Sequence, residues 1–185
     1  MRSKTEIRQH ISGMLRMTPD ARAEKSVRLC AAIAESPAWR AARTVAIFAP
    51  QPREPDVELL WMHGDGKTFA YPRVTEDRLD LFRVTSLHEL APGAFGVREP
   101  AARMENASDP GMLDLILVPG VAFTRDGERL GRGGGFYDRL LASLPAHTCK
   151  IGVCFDSQLL HELPVETHDQ RVDFLATESG LLPVA

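Results

Sequence analysis

The chain has 185 residues, 44% hydrophobic and 25% charged, with a formal net charge of −3, a balance that predicts a single globular domain, residues 1–185, large enough for its own core. The slight acidic excess excludes a general nucleic-acid binder, which needs a basic face. No run approaches the roughly 18 apolar residues of a membrane span and MRSKTEIRQH lacks the apolar centre of a signal peptide, so a cytoplasmic protein without membrane partners is expected.

From the amino terminus, residues 3 to 17 predict an amphipathic helix with Ile7, Ile11, Met14 and Leu15 on one face. At about 100° per residue, Lys4 and Arg8 fall at the edge of that face, two cations held at the rim of whatever the helix packs on. Thr18-Pro19 caps and starts a second helix, whose stripe is Val27, Cys30, Ala31 and Ala34, and Pro37 ends it. TVAIFAP (44 to 50) is the first strand signal, followed by a short helix from Asp56 to His63. Glu54 lies just past that strand's carboxyl end, where open α/β sheets bind ligands, although exposure to solvent is the default for a lone loop glutamate.

KTFAYP (67 to 72) and LDLFRV (79 to 84) are further strands. The proline- and glycine-rich stretch from 91 to 110 reads as irregular surface with Phe95 turned inward. KIGVCF (150 to 155), a short helix from Ser157 to His161, and DFLATE (173 to 178) as a last strand complete the alternation. Strands alternating with helices predict an α/β fold, a mainly parallel sheet covered on both faces. Cys30 and Cys154 read as buried thiols, and an odd cysteine count without C-x-x-C argues against a disulfide framework or zinc site.

The chemistry concentrates between Leu113 and Leu144. The apolar run Leu115 to Val118, closed by Pro119-Gly120, predicts a buried parallel strand, and Phe136, Leu140, Leu141 and Leu144 mark a short helix. Between them lie Gly131, Gly133, Gly134 and Gly135, flanked by Arg129, Arg132 and Arg139. Glycines there let successive N–H groups turn inward above a helix N-terminus and make an anion site suited to phosphate. A flexible surface loop is the alternative. Neither G-x-x-x-x-G-K-[ST] nor G-x-G-x-x-G fits, the latter because Phe136 stands at the third glycine. No nucleophilic triad can be assembled, and His168-Asp169, adjacent on an extended loop, would face opposite ways.

The run Val118-Pro119-Gly120-Val121-Ala122-Phe123 with Gly127-Glu128-Arg129-Leu130-Gly131-Arg132-Gly133-Gly134-Gly135-Phe136-Tyr137-Asp138 resembles the signature of the 5-formyltetrahydrofolate cyclo-ligase family. Lys4-x-x-x-Arg8, Phe48 to Glu54, Tyr71-Pro72-Arg73, Phe95 to Pro100, and Val165-x-x-His168-Asp169 with Asp173 extend the resemblance over nearly the whole chain. It implies ATP-dependent closure of 5-formyltetrahydrofolate to 5,10-methenyltetrahydrofolate, and a three-layer α/β/α sandwich similar to ribose-5-phosphate isomerase and CoA transferases. By matching position it implies that Lys4, Arg8, Arg129, Leu130, Gly131, Arg132, Gly133, Gly134, Gly135, Phe136 and Tyr137 meet ATP, with Lys4, Arg8 and Arg132 serving the phosphoryl transfer. Ala49, Glu54, Phe95 and the segment Arg132 to Phe136 would meet the folate, and Asp138 and Asp173 would hold Mg²⁺. Phe136 stands where many members have a second tyrosine, and Phe95 where some have tryptophan. A monomer is expected, and the competing reading is a non-catalytic relative that binds folate or nucleotide.

Overall fold

Leu115, Ile116, Leu117 and Val118 are each fully buried, yet they do not share a core. Side chains alternate along a strand, so Leu115 and Leu117 pack on one face of the sheet and Ile116 and Val118 on the other. An uninterrupted apolar run is what a strand needs when both faces are covered. The structure, a computed structural model, describes residues 2–184.

Helices α1 (Lys4–Met14), α2 (Pro19–Ala34) and α3 (Pro37–Ala41) precede strand β1 (Thr44–Ala46), and the hairpin of β2 (Thr68–Thr75) and β3 (Arg78–Val84) follows. A two-stranded ribbon, β4 (Leu90–Pro92) with β5 (Arg98–Pro100), leads to β6 (Leu115–Pro119). Next come β7 (Ala122–Thr124), β8 (Arg129–Leu130), helix α4 (Phe136–Ser143), β9 (Cys149–Val153), β10 (Leu159–Leu160), β11 (Phe174–Thr177) and β12 (Gly180–Pro183).

The main sheet has seven strands in the order β12-β11-β9-β6-β1-β2-β3. Neighbours from β11 to β2 are parallel, while β3 and β12 are antiparallel edges. On one face Leu29, Ile33, Trp39, Val57 and Leu60 cover Val45, Ile47 and Leu117. On the other, Leu140 and Leu141 of α4 cover Ile116, Val118 and Leu175. This is the expected α/β/α layering. The chain goes from β1 outward to β2, then returns to β6 on the other side of β1. The order therefore reverses between β1 and β6, and the carboxyl ends of those strands border a crevice, the usual ligand position in open α/β sheets.

Ser3 caps α1 through a reciprocal capping box with Glu6, and Thr18 caps α2 with Pro19 in the first turn, the latter as the sequence predicts. The buried face of α2 differs from expectation: Ser26, Leu29, Cys30 and Ile33 are buried, whereas Val27 is 56% exposed. Leu29 and Ile33 supply more apolar area than the small-residue stripe, and the helix rotates to bury them. The 91 to 110 segment includes the β4–β5 ribbon, and DFLATE is followed by another strand, β12. Cys30 and Cys154 are buried, and burial pushes the Cys30 thiol up to about 12. Among the described residues no helix is long and apolar enough to cross a membrane.

Leu29→Ala is expected to lower unfolding free energy by about 2–5 kcal/mol, the range for truncating a buried leucine, while Val27→Ala changes it by less than about 0.5 kcal/mol, as at ordinary surface positions. Urea denaturation reads both, and equal losses would contradict the rotated face of α2.

Candidate active site

A cavity of about 680 Å³ opens at the crevice between the carboxyl ends of β1 and β6. Phe48 and Ala49 after β1, Pro119 and Gly120 at the end of β6, and Pro72 and Val74 of β2 line it beneath the glycine loop. Two further elements close over it, α1 from one side and the β4–β5 ribbon from the other, contributing Lys4 and Arg8, and Phe95 and Glu99.

The glycine loop is fixed from below by Arg129. Its side chain is 3% exposed and its Nη2 donates to Asp138 Oδ1 at 2.8 Å, while Nη1 donates to Pro119 O at 3.3 Å. Asp138 Oδ1 also accepts from Gln170 N at 3.2 Å. One ion pair thus ties the end of β6, strand β8, the first turn of α4 and the carboxyl-terminal segment together. Gly131 lies so close that a Cβ there would stand 2.8 Å from Arg129 Nη1. Gln158, itself buried, donates to Gly120 O and Val121 O, both at 3.0 Å, and steadies the turn after β6.

Gly135 enters α4 at φ 66°, a left-handed conformation that favours glycine, and no side chain caps the helix. The first N–H groups of α4 therefore have no side-chain acceptor at the cavity edge, which leaves them to an anion. Gly133 is also left-handed, at φ 109°, and approaches the Arg8 guanidinium. Arg8 Nε donates to Gly131 O at 2.9 Å, so α1 is tied directly to the loop.

Lys4 joins α1 to the carboxyl-terminal segment, with Nζ 2.8 Å from Asp169 Oδ2 and 3.0 Å from Glu166 Oε1. Burial would lower the Lys4 ammonium, but hydrogen bonds to Asp169 and Glu166 outweigh it and hold it above the ordinary lysine value. Burial likewise pushes the Asp169 carboxyl up, and the Lys4 and Glu166 N–H contacts bring it below the ordinary aspartate range. These acidic partners went unnoticed because 165 residues separate Lys4 from Asp169, although the family resemblance had marked Asp169. His168 and Asp169 line the same cavity rather than facing apart.

Glu54 departs from the solvent-exposed default: it is 9% exposed and lines the cavity. Its Oε1 accepts from Arg132 Nη2 at 2.7 Å and its Oε2 from Gln51 N at 2.9 Å, while Arg22 of α2 donates to its carbonyl at 2.7 Å. The Arg132 side chain is 58% exposed, so it is the mobile partner of a fixed carboxylate. Burial, with Glu54 nearby, pushes the Tyr137 hydroxyl above its ordinary value, which keeps it neutral.

The loop arginines do not act as one cluster. Arg129 is consumed below the loop, Arg139 donates to Asp77 O and Gly134 O away from the cavity, and Arg132 remains at the opening with Arg8 and Lys4. Ala49, Leu130, Gly131, Gly133, Gly134, Gly135, Phe136 and Tyr137 all line the cavity. Phe95 does too, but it is 77% exposed rather than inward, and sits at a left-handed φ of 56°. Its ring centroid stands 5.9 Å from that of Phe136, so two aromatic rings from opposite walls meet at the mouth.

The expected carboxylate pair for Mg²⁺ is not brought together. Asp138 lines the cavity, whereas Asp173 precedes β11 and accepts from Lys150 N at 2.8 Å, on the amino-terminal edge of the sheet. The cavity lies at the carboxyl edge, a strand's length away. A divalent ion needs as little as one protein carboxylate when phosphate oxygens and waters complete its shell. Asp138 fits that share, since its Oδ2 accepts no hydrogen bond among the described residues.

Three comparisons agree with this architecture. The model of the 5-formyltetrahydrofolate cyclo-ligase family matches residues 1–178. The 5-formyltetrahydrofolate cyclo-ligase of Mus musculus is 28% identical over 192 aligned positions, covering 96% of this chain and 95% of its own. That of Escherichia coli K12 is 30% identical over 171 positions, covering 88% and 93%. The solution structure of Aquifex aeolicus 5,10-methenyltetrahydrofolate synthetase superposes with a TM-score of 0.86 at 32% identity, covering 98% of this chain and 92% of that one.

Arg129→Met leaves the half-buried Asp138 carboxylate without its cation and is expected to cost about 1.5–3 kcal/mol of stability, whereas Arg132→Met costs less than about 1 kcal/mol. Equal shifts in urea denaturation would contradict the division between the two arginines. The Lys4–Asp169 tie should depend on pH in one direction. Because the folded Asp169 value is lowered, the stabilisation is complete above the ordinary carboxylate value of about 4. It is lost as pH falls through the lower folded value. Amide exchange in α1 should accelerate, relative to α2, as pH falls below about 4, and parallel behaviour of the two helices would refute it.

Proposed function

The chain belongs to the 5-formyltetrahydrofolate cyclo-ligase family, and from that membership we propose that it closes 5-formyltetrahydrofolate to 5,10-methenyltetrahydrofolate with ATP, releasing ADP and phosphate. The observation that carries this reading is the meeting of a cation-flanked glycine loop and a buried carboxylate, Glu54, in one cavity.

The chemistry sets the requirement. The formyl group on N5 is an amide, and nitrogen donation makes its carbonyl carbon a poor electrophile and its oxygen a poor leaving group. Attack of that oxygen on the γ-phosphorus of ATP expels ADP and leaves an O-phosphorylated iminium. N10 then bonds to the activated carbon and loses its proton, and cleavage of the carbon–oxygen bond releases phosphate.

Phosphoryl transfer requires positioning and charge neutralisation, and no protein nucleophile. The uncapped start of α4 with the glycine backbone would cradle phosphate, and Arg8, Lys4 and Arg132 would supply the positive charge. Mg²⁺ would neutralise phosphate charge, with Asp138 as the protein ligand that fits. Glu54 would accept from the pterin 2-amino group and N3–H together, a bidentate pattern suited to a carboxylate. Phe95 and Phe136 would flank the p-aminobenzoyl ring at the mouth.

A pterin held through both Glu54 oxygens would compete with Arg132 for Oε1. Folate binding would displace Arg132 from Glu54 and release it toward the γ-phosphate, so the first substrate prepares the arginine for the second. A non-catalytic folate store would have no use for that arrangement. The reading places the enzyme in the cytoplasm as a monomer, with no nucleic-acid or membrane partner.

Purified protein mixed with 5-formyltetrahydrofolate and MgATP should develop the absorbance of the methenyl product only when ATP is present, and no ATP-dependent product would remove the proposal. Glu54→Gln should weaken folate binding about tenfold or more, equivalent to about 1.4 kcal/mol or more, while nucleotide affinity holds or improves because Arg132 is freed. Calorimetry with each substrate separately checks this, and unchanged folate affinity would refute the assignment.

A further inference from the structure

Ring closure liberates the N10 proton, and the carboxylates of the cavity differ sharply in their freedom to accept it. Glu54 faces Arg132 at 2.7 Å, Asp138 faces Arg129 at 2.8 Å, and Asp169 and Glu166 face Lys4 at 2.8 and 3.0 Å. Glu99 is different. Its side chain is 6% exposed, its nearest cation, Arg73 Nη1, stands 3.9 Å away, and its hydrogen bond from Val74 N is a long 3.3 Å. Arg73 spends its own short bond, 2.7 Å, on Pro100 O. The neighbouring Arg98 is engaged by Glu58 at 2.6 Å, and Asp80, opposite Arg73 on β3, is engaged by Arg78 at 2.9 Å.

A buried anion without a close cation or short hydrogen bonds is costly unless something else meets it. The ribbon nonetheless makes room for this one. Gly93 lies against the Glu99 side chain, and a Cβ at that position would collide with the carboxylate. Glu99 lines the cavity among Val74, Leu79, Phe95 and Val97, an apolar and aromatic wall suited to the p-aminobenzoyl ring that bears N10.

We propose that Glu99 is a catalytic residue of the ring closure, the base that takes the N10 proton. The step balances: N10 forms its bond to the carbon of the phosphorylated formyl group, the N10–H bond breaks, its proton passes to a Glu99 carboxylate oxygen, and phosphate later departs with the former formyl oxygen. The assignment rests on the cyclo-ligase reading, and it places Glu99 after phosphoryl transfer and outside substrate binding.

Single-turnover kinetics separate these steps, with ADP measured by quenching and methenyl product by absorbance. Parent protein that forms neither would refute the cyclo-ligase reading itself. In Glu99→Gln, which preserves shape and the Val74 contact, one equivalent of ADP per site should form at the parent rate while methenyl product forms about 100-fold more slowly or worse. Equal slowing of both, or slowing of neither, overturns the role of Glu99. Glu99→Asp provides a second test, since it keeps a carboxylate but draws it back by one methylene, so methenyl product should again form more slowly while ADP forms at the parent rate. An unchanged rate of methenyl formation, or equal slowing of both steps, overturns the proposal even if the glutamine variant does not fold.

Discussion

The contact between the buried Arg129 and the half-buried Asp138 is the constraint on which the site depends. A guanidinium and a carboxylate removed from water gain little against an apolar pair of similar shape, but each is costly without the other. The value of the pair here is geometric. Through Pro119, Asp138 and Gln170 it links a strand end, the glycine loop, a helix start and the carboxyl-terminal segment, so the loop cannot move without breaking it. The glycines are thereby held in a shaped loop rather than a mobile surface turn, as the proposed anion site requires. The buried Arg129 Nε has no hydrogen-bond partner among the described residues.

With Arg129 fixed below the loop, the cavity has cations of graded freedom above it. Arg8 is tethered to Gly131, Lys4 is held between two carboxylates, and Arg132 is mostly exposed and, among the described residues, joined only to Glu54 across the mouth. Such an ordering suits a reaction in which one phosphoryl group passes between two substrates. In the proposed reaction the fixed groups would define where phosphate sits, and the mobile one would follow the charge. The location itself follows from topology, because the reversal of strand order between β1 and β6 opens the sheet there.

Much of this could be read from local pattern. The buried strand from Leu115, the helix from Phe136 and the glycine loop between them are written in contiguous residues, and helical spacing alone put Lys4 and Arg8 at the rim of α1. What escaped depends on contacts between distant segments. The exposed Val27 was assigned to the buried stripe of α2 because neighbouring alanines completed a plausible face; the register was set by Leu29 and Ile33 against the sheet. The sequence places Phe95 inward in an irregular segment, whereas the ribbon around it leaves the ring exposed at the cavity mouth. The family resemblance implies Asp173 beside Asp138 as a Mg²⁺ ligand, but strand direction carries it to the other edge of the sheet. The family resemblance singled out Glu54 and Asp169, yet their partners, Arg132 and Lys4, became visible only in three dimensions.

The central claim is that the cavity brings the formyl oxygen itself to the γ-phosphate. Turnover of substrate labelled with ¹⁸O in the formyl group tests it, with the released phosphate analysed by mass spectrometry. One ¹⁸O in each phosphate is the expected result, since the oxygen attacked by phosphorus leaves with it. Unlabelled phosphate, with the label lost to water, would contradict direct phosphorylation and the placement of both substrates in one cavity.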